Sequence, residues 1–171
     1  MARRVVGRLD EDLRRIAAGT APVVAGPWLG EVGFELLYWV PFLAWCAKTY
    51  GIAPDRWLVV SRGGTASWYR DIARGYADVF SQVTPETFRA QHDARVRELG
   101  EQKQTRVTAF DEQLVSGALG AAGVSGVPAH IHPSRMYELM SPYWWGHESS
   151  AWVHRHAAWR RLSAPDRDGL A

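Results

Sequence analysis

Residues 22–40 read PVVAGPWLGEVGFELLYWV and give the clearest indication of the fold class. Their first part, Pro22 to Ala25, is a short apolar run that ends at a turn, which is typical of a buried strand. After the glycine-rich turn, Phe34 to Tyr50 has helical length and is apolar almost all round, so we expect a buried helix. Pro41 is expected to kink or divide this helix, because proline removes a backbone hydrogen bond.

The same order of strand, turn and helix recurs further along the chain. Trp57 to Ser61 is a second strand candidate, and the apolar spacing within Ala66 to Phe80 predicts a helix. Arg106 to Phe110 is a weaker strand candidate, and a helix is predicted from Glu112 to Leu119. Helices between strands favour parallel pairing with right-handed crossovers. The sequence therefore predicts an α/β fold: a single Rossmann-like, three-layer domain with a mostly parallel sheet.

The remaining segments define the expected domain boundaries. A helix from Asp10 to Ala18 belongs to an N-terminal helical extension over residues 1–20, and it is expected to pack on the outside. Residues 21–162 are predicted to form the Rossmann-like domain, and residues 163–171 a polar tail. The other elements expected in the domain are a solvated helix over Phe88 to Lys103, a short strand or extended loop over Pro128 to His132, an aromatic-rich segment over Met136 to Trp145 and a final helix over Ala151 to Leu162.

Composition and charge restrict the function classes. The chain has 171 residues, 47% of them apolar and 22% charged, which suits one globular domain. Its net charge of +2 gives no strong field for nucleic acid, so no nucleic-acid partner is expected. The longest apolar stretch falls short of the roughly 18 residues that span a bilayer. We therefore expect a cytoplasmic protein, and peripheral membrane contact stays open.

Three segments that follow predicted strands carry residues suited to ligand binding: Gly30-Glu31-Val32-Gly33, Arg62-Gly63-Gly64 and Asp111-Glu112. Turns after parallel strands lie at one edge of the sheet, where open α/β sheets bind ligands. Gly30 and Gly33 allow close approach of the backbone, and Arg62 suits a phosphate or carboxylate. The alternative is that these are only tight turns, with Glu35 stabilising the first turn of the helix.

The candidate catalytic residues are carboxylates, because a carboxylate can accept a proton from a hydroxyl. Glu31 and Asp111 are predicted in this role. His132 is a candidate either for a catalytic base or for hydrogen bonding to a ligand. No acidic or cysteine residue stands at ligand spacing from the histidines, so no metal site is predicted. The glycines match neither the dinucleotide pattern nor the P-loop, so no cofactor is predicted. Tyr143-Trp144-Trp145 is either a platform for stacking sugar rings or part of the core.

The run from Gly26 to Trp39 resembles the first βα loop of bacterial glycosyltransferase-like proteins, two-domain GT-B enzymes from polysaccharide gene clusters. Further blocks are similar to the same group: Ser61-Arg62-Gly63-Gly64, Phe110-Asp111 and His132-Pro133-Ser134-Arg135-Met136-Tyr137. The resemblance covers residues 22–145. The ligand-binding residues it marks are Gly30, Gly33, Arg62, Gly63, Gly64, His132 and Arg135.

This resemblance implies the acceptor-side, N-terminal domain of a metal-independent glycosyltransferase. In such enzymes this domain holds a hydroxyl acceptor and supplies any base, here Glu31, while a C-terminal domain binds the nucleotide sugar. The chain has roughly half the expected length, so the donor is expected to bind through a missing or separate domain. The alternatives are a non-catalytic module for a glycan or a phosphorylated metabolite, and a structural subunit of a larger assembly.

Overall fold

The computed structural model describes residues 2–100 and 102–160. It is an α/β domain with a four-stranded, all-parallel sheet, so the predicted Rossmann-like, three-layer fold is confirmed. The strands are β1 (Val23–Ala25), β2 (Trp57–Ser61), β3 (Gly75–Asp78) and β4 (Ala129–Ile131). Their order across the sheet is β3-β2-β1-β4, and Val24 of β1 lies between Leu58 and His130. The chain order thus reverses at β1, and the crevice between β1 and β4 is the topological switch point of the sheet.

Helices connect the strands. They are α1 (Ala2–Ala18), α2 (Val32–Phe34), α3 (Val40–Tyr50), α4 (Pro85–Leu99), α5 (Ala109–Ala121), α6 (Pro133–Trp144) and α7 (Ser150–Arg155). A π-helical stretch, Glu35–Trp39, joins α2 to α3, and Pro41 lies in the first turn of α3. Because Pro41 has no N–H to donate, the change from π-helical to α-helical bonding falls beside it.

Alternate residues of the strands build two apolar layers, because successive side chains point to opposite faces of a sheet. Val23, Ala25 and Val59 pack with residues of α1, α3, α6 and α7. Val24, Leu58 and Val60 pack with α5 on the other face. The first layer also takes Leu9 and Leu13 of α1, so this helix is part of the core rather than an outer attachment. In the ranges 2–100 and 102–160, no helix combines the length and apolar character needed to cross a membrane.

The predicted helix over Ala66 to Phe80 is wrong. This segment contains two short 3₁₀ turns, Thr65–Tyr69 and Val79–Ser81, with β3 between them. A Cβ at Gly75 would lie 3.1 Å from the carbonyl oxygen of Trp57, a tight contact, so glycine allows β3 to begin close to β2 without displacing it. Glycine is also a poor helix former, and pairing with the free edge of β2 overrides the helical spacing of the apolar residues.

The predicted strand over Arg106 to Phe110 is also wrong. Thr108 is the N-cap of α5: its hydroxyl accepts from the Asp111 N–H, and the Asp111 carboxylate accepts from the Thr108 N–H. This reciprocal capping box starts the helix inside the predicted strand. α4 stops at Gly100 (φ +71°), before the predicted end at Lys103, and α7 stops at Arg155. Residues 161–162 of the predicted final helix and the predicted tail, residues 163–171, lie outside the described residues.

Candidate functional site

The three segments expected at one edge of the sheet lie together around the loop that follows β1. The Arg62 guanidinium, directly after β2, donates a hydrogen bond to the Gly30 carbonyl. Asp111 reaches the same loop from the first turn of α5, not from the end of a strand. Its carboxylate accepts from the Gln104 side chain (3.2 Å), which also donates to the Pro27 carbonyl (2.8 Å).

Gln104 is the residue that connects this loop to the rest of the domain, and no pattern in the sequence indicates it. It is fully buried, and its side-chain oxygen accepts from the Leu29 N–H at 2.8 Å. Together with the bonds to Pro27 and Asp111, this satisfies both ends of the amide. The loop after β1 is therefore fixed at its backbone by side chains from two other segments, Arg62 and Gln104.

A cleft of about 410 Å³ opens beside the loop. One wall comes from the segment after β1, and the opposite wall comes from α6, which follows β4. The cleft thus lies at the carboxyl ends of β1 and β4, where doubly wound sheets bind ligands. The lining residues are Gly30, Glu31, Phe34, Gln102, Lys103, Thr105, Tyr137, Ser141, Trp144 and Trp145.

Four of the ten residues that line the cleft are aromatic: Phe34, Tyr137, Trp144 and Trp145. The Trp144 ring lies 5.7 Å from both the Phe34 and Tyr137 rings, at tilted angles typical of aromatic pairs. Trp145 is 76% exposed, more than any other tryptophan, phenylalanine or tyrosine among the described residues. Tyr143 packs against the core instead. Trp144 also packs against the core, so the core interpretation holds for these two residues, and sugar stacking stays a prediction.

Glu31 is the carboxylate of the cleft. It is exposed and lies at the N-cap of α2, but its side chain makes no capping hydrogen bond. Its carbonyl is fixed, since it accepts from the Trp28 indole (3.3 Å) and from the Glu35 N–H (3.1 Å). Burial raises the pKa of Tyr137, across the cleft, to about 12, and the Glu31 charge adds to this effect. Glu31 thus has a held backbone and a carboxylate accessible to a ligand.

Gly30 and Gly33 differ in what surrounds them. A Cβ at Gly30 would lie 3.0 Å from Cζ2 of Trp28, so the close approach at Gly30 is to this buried indole. A Cβ at Gly33 would meet nothing within 4 Å. Gly30 therefore packs the loop against the core, while Gly33 leaves the start of the helix open.

Gly63 and Gly64 form a small anion-binding concavity that the chain itself fills. Both have positive φ, +69° and +75°, which favours glycine. Their N–H groups donate to the Asp78 carboxylate at 3.3 and 3.1 Å. Successive N–H groups in such turns bind anions, and Asp78, at the end of β3, takes the place that a ligand would occupy. The sequence prediction missed Asp78 because it placed that residue in a helix.

Asp111 and His132 form a buried pair behind the loop. Nε2 of His132 lies 3.6 Å from Asp111 Oδ2, and Nδ1 accepts from the Ser134 N–H at 3.1 Å, capping α6. Both residues are almost inaccessible, at 0% exposure for Asp111 and 3% for His132. Burial alone raises the pKa of Asp111, but the nearby His132 ring and the hydrogen bonds from Thr108 outweigh it and hold the pKa below its ordinary value. Their contacts position the loop and α6, and neither side chain lines the cleft.

Glu35 is a second buried carboxylate, and its hydrogen-bond network was not predicted. Its Oε1 accepts from three hydroxyls, those of Ser61, Thr65 (3.3 Å) and Tyr69 (2.5 Å). Its Oε2 has no hydrogen-bond partner among the described residues. Burial raises the pKa of Glu35, and the hydrogen bonds from Ser61 and Tyr69 oppose this only in part. One signal was present in the sequence: a lone carboxylate in an apolar helix must find polar partners when it is buried.

Arg135 lies away from this site. Its guanidinium pairs with Asp12 of α1 at 2.8 Å and lines a different cleft. Within residues 2–100 and 102–160, no group of three histidine, cysteine, aspartate or glutamate side chains is arranged to hold a metal ion.

Comparisons with known proteins add no further constraint. No protein-family model, no curated protein and no solved structure matches this chain. The resemblance to glycosyltransferase-like proteins therefore stays a prediction from the motifs, and the assignment of function depends on the geometry of the cleft.

Proposed function

We propose that the cleft binds a glycan and that this chain is the acceptor-side domain of a glycosyltransferase. The observation that supports the proposal is an aromatic cleft at the topological switch point with one exposed carboxylate, Glu31, at its edge. Ligand sites combine apolar and aromatic walls with a few polar groups that fix orientation. The apolar faces of sugar rings suit Trp144 and Trp145, and sugar hydroxyls suit Glu31 and Gln102.

The proposed chemistry uses Glu31 as the general base. A hydroxyl oxygen of the bound glycan forms a bond to the anomeric carbon of the donor sugar. The bond from that carbon to the nucleotide phosphate oxygen breaks, and the hydroxyl proton moves to the Glu31 carboxylate. The contacts of Arg62 and Gln104 with the loop keep the Glu31 backbone in place. The donor would be held by a separate domain facing this edge.

Two tryptophan variants, one inside the cleft and one outside it, test the site. Trp145→Ala removes an exposed ring of the cleft, and Trp159→Ala removes another exposed ring, 46% accessible, that does not line it. We expect Trp145→Ala to weaken oligosaccharide binding about tenfold in calorimetry, because one stacking surface is lost. Trp159→Ala should leave the affinity within about twofold. Equal losses in both variants, or no saturable binding to the parent chain, would contradict the proposal.

A non-catalytic glycan-binding module is the second candidate. The observation that favours it is that Glu31, Lys103 and the aromatic side chains of Phe34, Trp144 and Trp145 already line one cleft in this domain. The Glu31→Gln variant separates the two functions in an assembly that includes the donor-binding half. Loss of transfer with binding retained supports the base. Unchanged turnover excludes Glu31 as the base, whereas binding without turnover in both the parent and the variant assembly supports the binding module.

A further inference from the structure

Lys103 places a positive charge at the aromatic end of the cleft. Its Nζ lies 4.9 Å from the centre of the Trp144 ring and 5.7 Å from that of Phe34. Attraction to the two ring faces holds the ammonium in position. In the part of the chain that the structure describes, no carboxylate lies within 4.0 Å of Lys103. The N–H groups of the ammonium therefore remain available for an anion.

The two charges of the cleft lining are of opposite sign and have different surroundings. Lys103 is held by aromatic rings, whereas Glu31 follows the Gly30 turn and has no hydrogen bond from its side chain to the start of α2. An acidic group on a bound sugar is attracted to Lys103 and repelled by Glu31, which fixes the direction of the ligand. A cationic sugar would instead pair with Glu31, neutralise the proposed base and be repelled by Lys103.

We propose that the cleft is selective for acidic glycans, with the acid group of the sugar bound by Lys103 and the sugar ring stacked on the exposed Trp145. This selectivity rests on the proposed glycan-binding function and names its substrate class. The shared chemistry is an anionic substituent on the sugar, either a carboxylate or a sulfate. Binding in this direction turns the other end of the ligand toward Glu31.

Calorimetry with matched probes tests the selectivity on the full chain. The probes are a linear uronic-acid oligosaccharide, its methyl ester, which has the same rings without the charge, and a sulfated neutral oligosaccharide. We expect the acid form to bind about tenfold more tightly than the ester at low salt, and the difference to shrink as salt is added. Lys103→Gln should remove the difference, and Lys103→Arg should keep it. Lys48→Gln changes the only other lysine, which does not line the cleft, and should also keep it.

The outcomes separate this inference from the proposed function. Equal affinity for the acid and the ester, with Trp145→Ala still weakening both, overturns the acidic selectivity and leaves the glycan site. Retention of the difference in Lys103→Gln overturns the role of Lys103. No saturable binding of any probe overturns both proposals. Tighter binding of the sulfated probe than of the uronic acid supports the inference and identifies sulfate as the preferred group.

Discussion

The loop after β1 has two sides that differ in chemistry. Its inner side is sealed and polar: Gln104 and Asp111 are fully buried and hydrogen-bonded behind it. Its outer side is open and aromatic, with Phe34, Trp144 and the exposed carboxylate of Glu31 around a cleft. The buried polar side chains therefore hold the loop in place. A ligand in the cleft would contact the aromatic rings and the Glu31 carboxylate.

This difference follows from the energetics of polar groups. A buried carboxylate or amide is costly unless every partner is present, so a satisfied buried network fixes the backbone around it. An exposed carboxylate can exchange water for a ligand without that cost. Residues that support a site and residues that contact a ligand are thus distinguished by burial, which their identity in the sequence does not reveal.

The largest loss of stability is expected from a substitution that displaces the loop backbone itself, and with it both the buried and the open side. Gly26 has φ +117°, and a Cβ there would lie 2.2 Å from the carbonyl oxygen of Val60. We expect Gly26→Ala to lower the free energy of unfolding by more than about 3 kcal/mol, because the backbone must shift. Gly33→Ala, where a Cβ meets nothing within 4 Å, should change it by less than about 1 kcal/mol. Urea denaturation of both variants measures the contrast, and equal effects would show that the loop tolerates displacement.

A smaller loss of stability is expected from a substitution in the buried polar network on the inner side of the loop. Asp111→Ala removes the acceptor for Gln104 and Thr108, and with it half of the capping box of α5. We expect a loss of about 2–3 kcal/mol in the free energy of unfolding, since buried donors are left without partners. Glu112→Ala removes an exposed carboxylate from the same helical turn and should cost less than about 1 kcal/mol. If the two variants were equally stable, the buried network would not hold the fold.

The smallest effect is a pH dependence that separates the two buried carboxylates. The pKa of Glu35 is raised in the folded state, so its contribution to stability is fully present below about pH 4.5 and falls as pH rises through the folded pKa. Asp111 has a lowered pKa and acts in the opposite direction: its contribution is present above about pH 3.8 and falls as pH drops through the folded pKa.

Glu35→Gln isolates the first of these contributions. Relative to this variant, the parent chain should gain stability when pH is lowered from 7 toward 4.5, as measured by urea denaturation at each pH. Glu112→Gln, which changes an exposed carboxylate and leaves Glu35 in place, serves as the control and should gain stability relative to Glu35→Gln as the parent chain does. A parent chain that loses stability relative to Glu35→Gln on acidification would mean that Glu35 is stabilised as the charged form.

Much of the fold was predictable because its signals are local. The apolar runs at Val23–Ala25 and Trp57–Ser61 form the predicted strands, and Pro128 to His132 contains β4. The predicted secondary structure is wrong where strand pairing or helix capping outweighs the spacing of the apolar residues. Pairing with β2 overrode the helical spacing before Phe80, and the capping-box pattern from Thr108 to Asp111 was present in the sequence but was not used.

The candidate site was predictable only in part. Glu31, Gly30 and Arg62 lie around the loop that follows β1, as their position after predicted strands implies. Lys103 and the buried Gln104 are not indicated by the sequence, since they reach the site from a segment without a motif, and Tyr137 lies in the block from His132 to Tyr137 without being a candidate site residue there. His132 and Asp111 come close in space, but in a buried pair behind the loop.

The sequence by itself determined the fold class, the central strands and the glycine-rich turn, because periodicity and turn chemistry depend on neighbouring residues. Only the tertiary structure decided which side chains became supports and which became surface. Gln104 meets the Leu29 N–H across 75 positions, and the cleft joins residues after β1 to residues of α6. Contacts over such separations depend on how helices pack on the sheet, which no local pattern specifies.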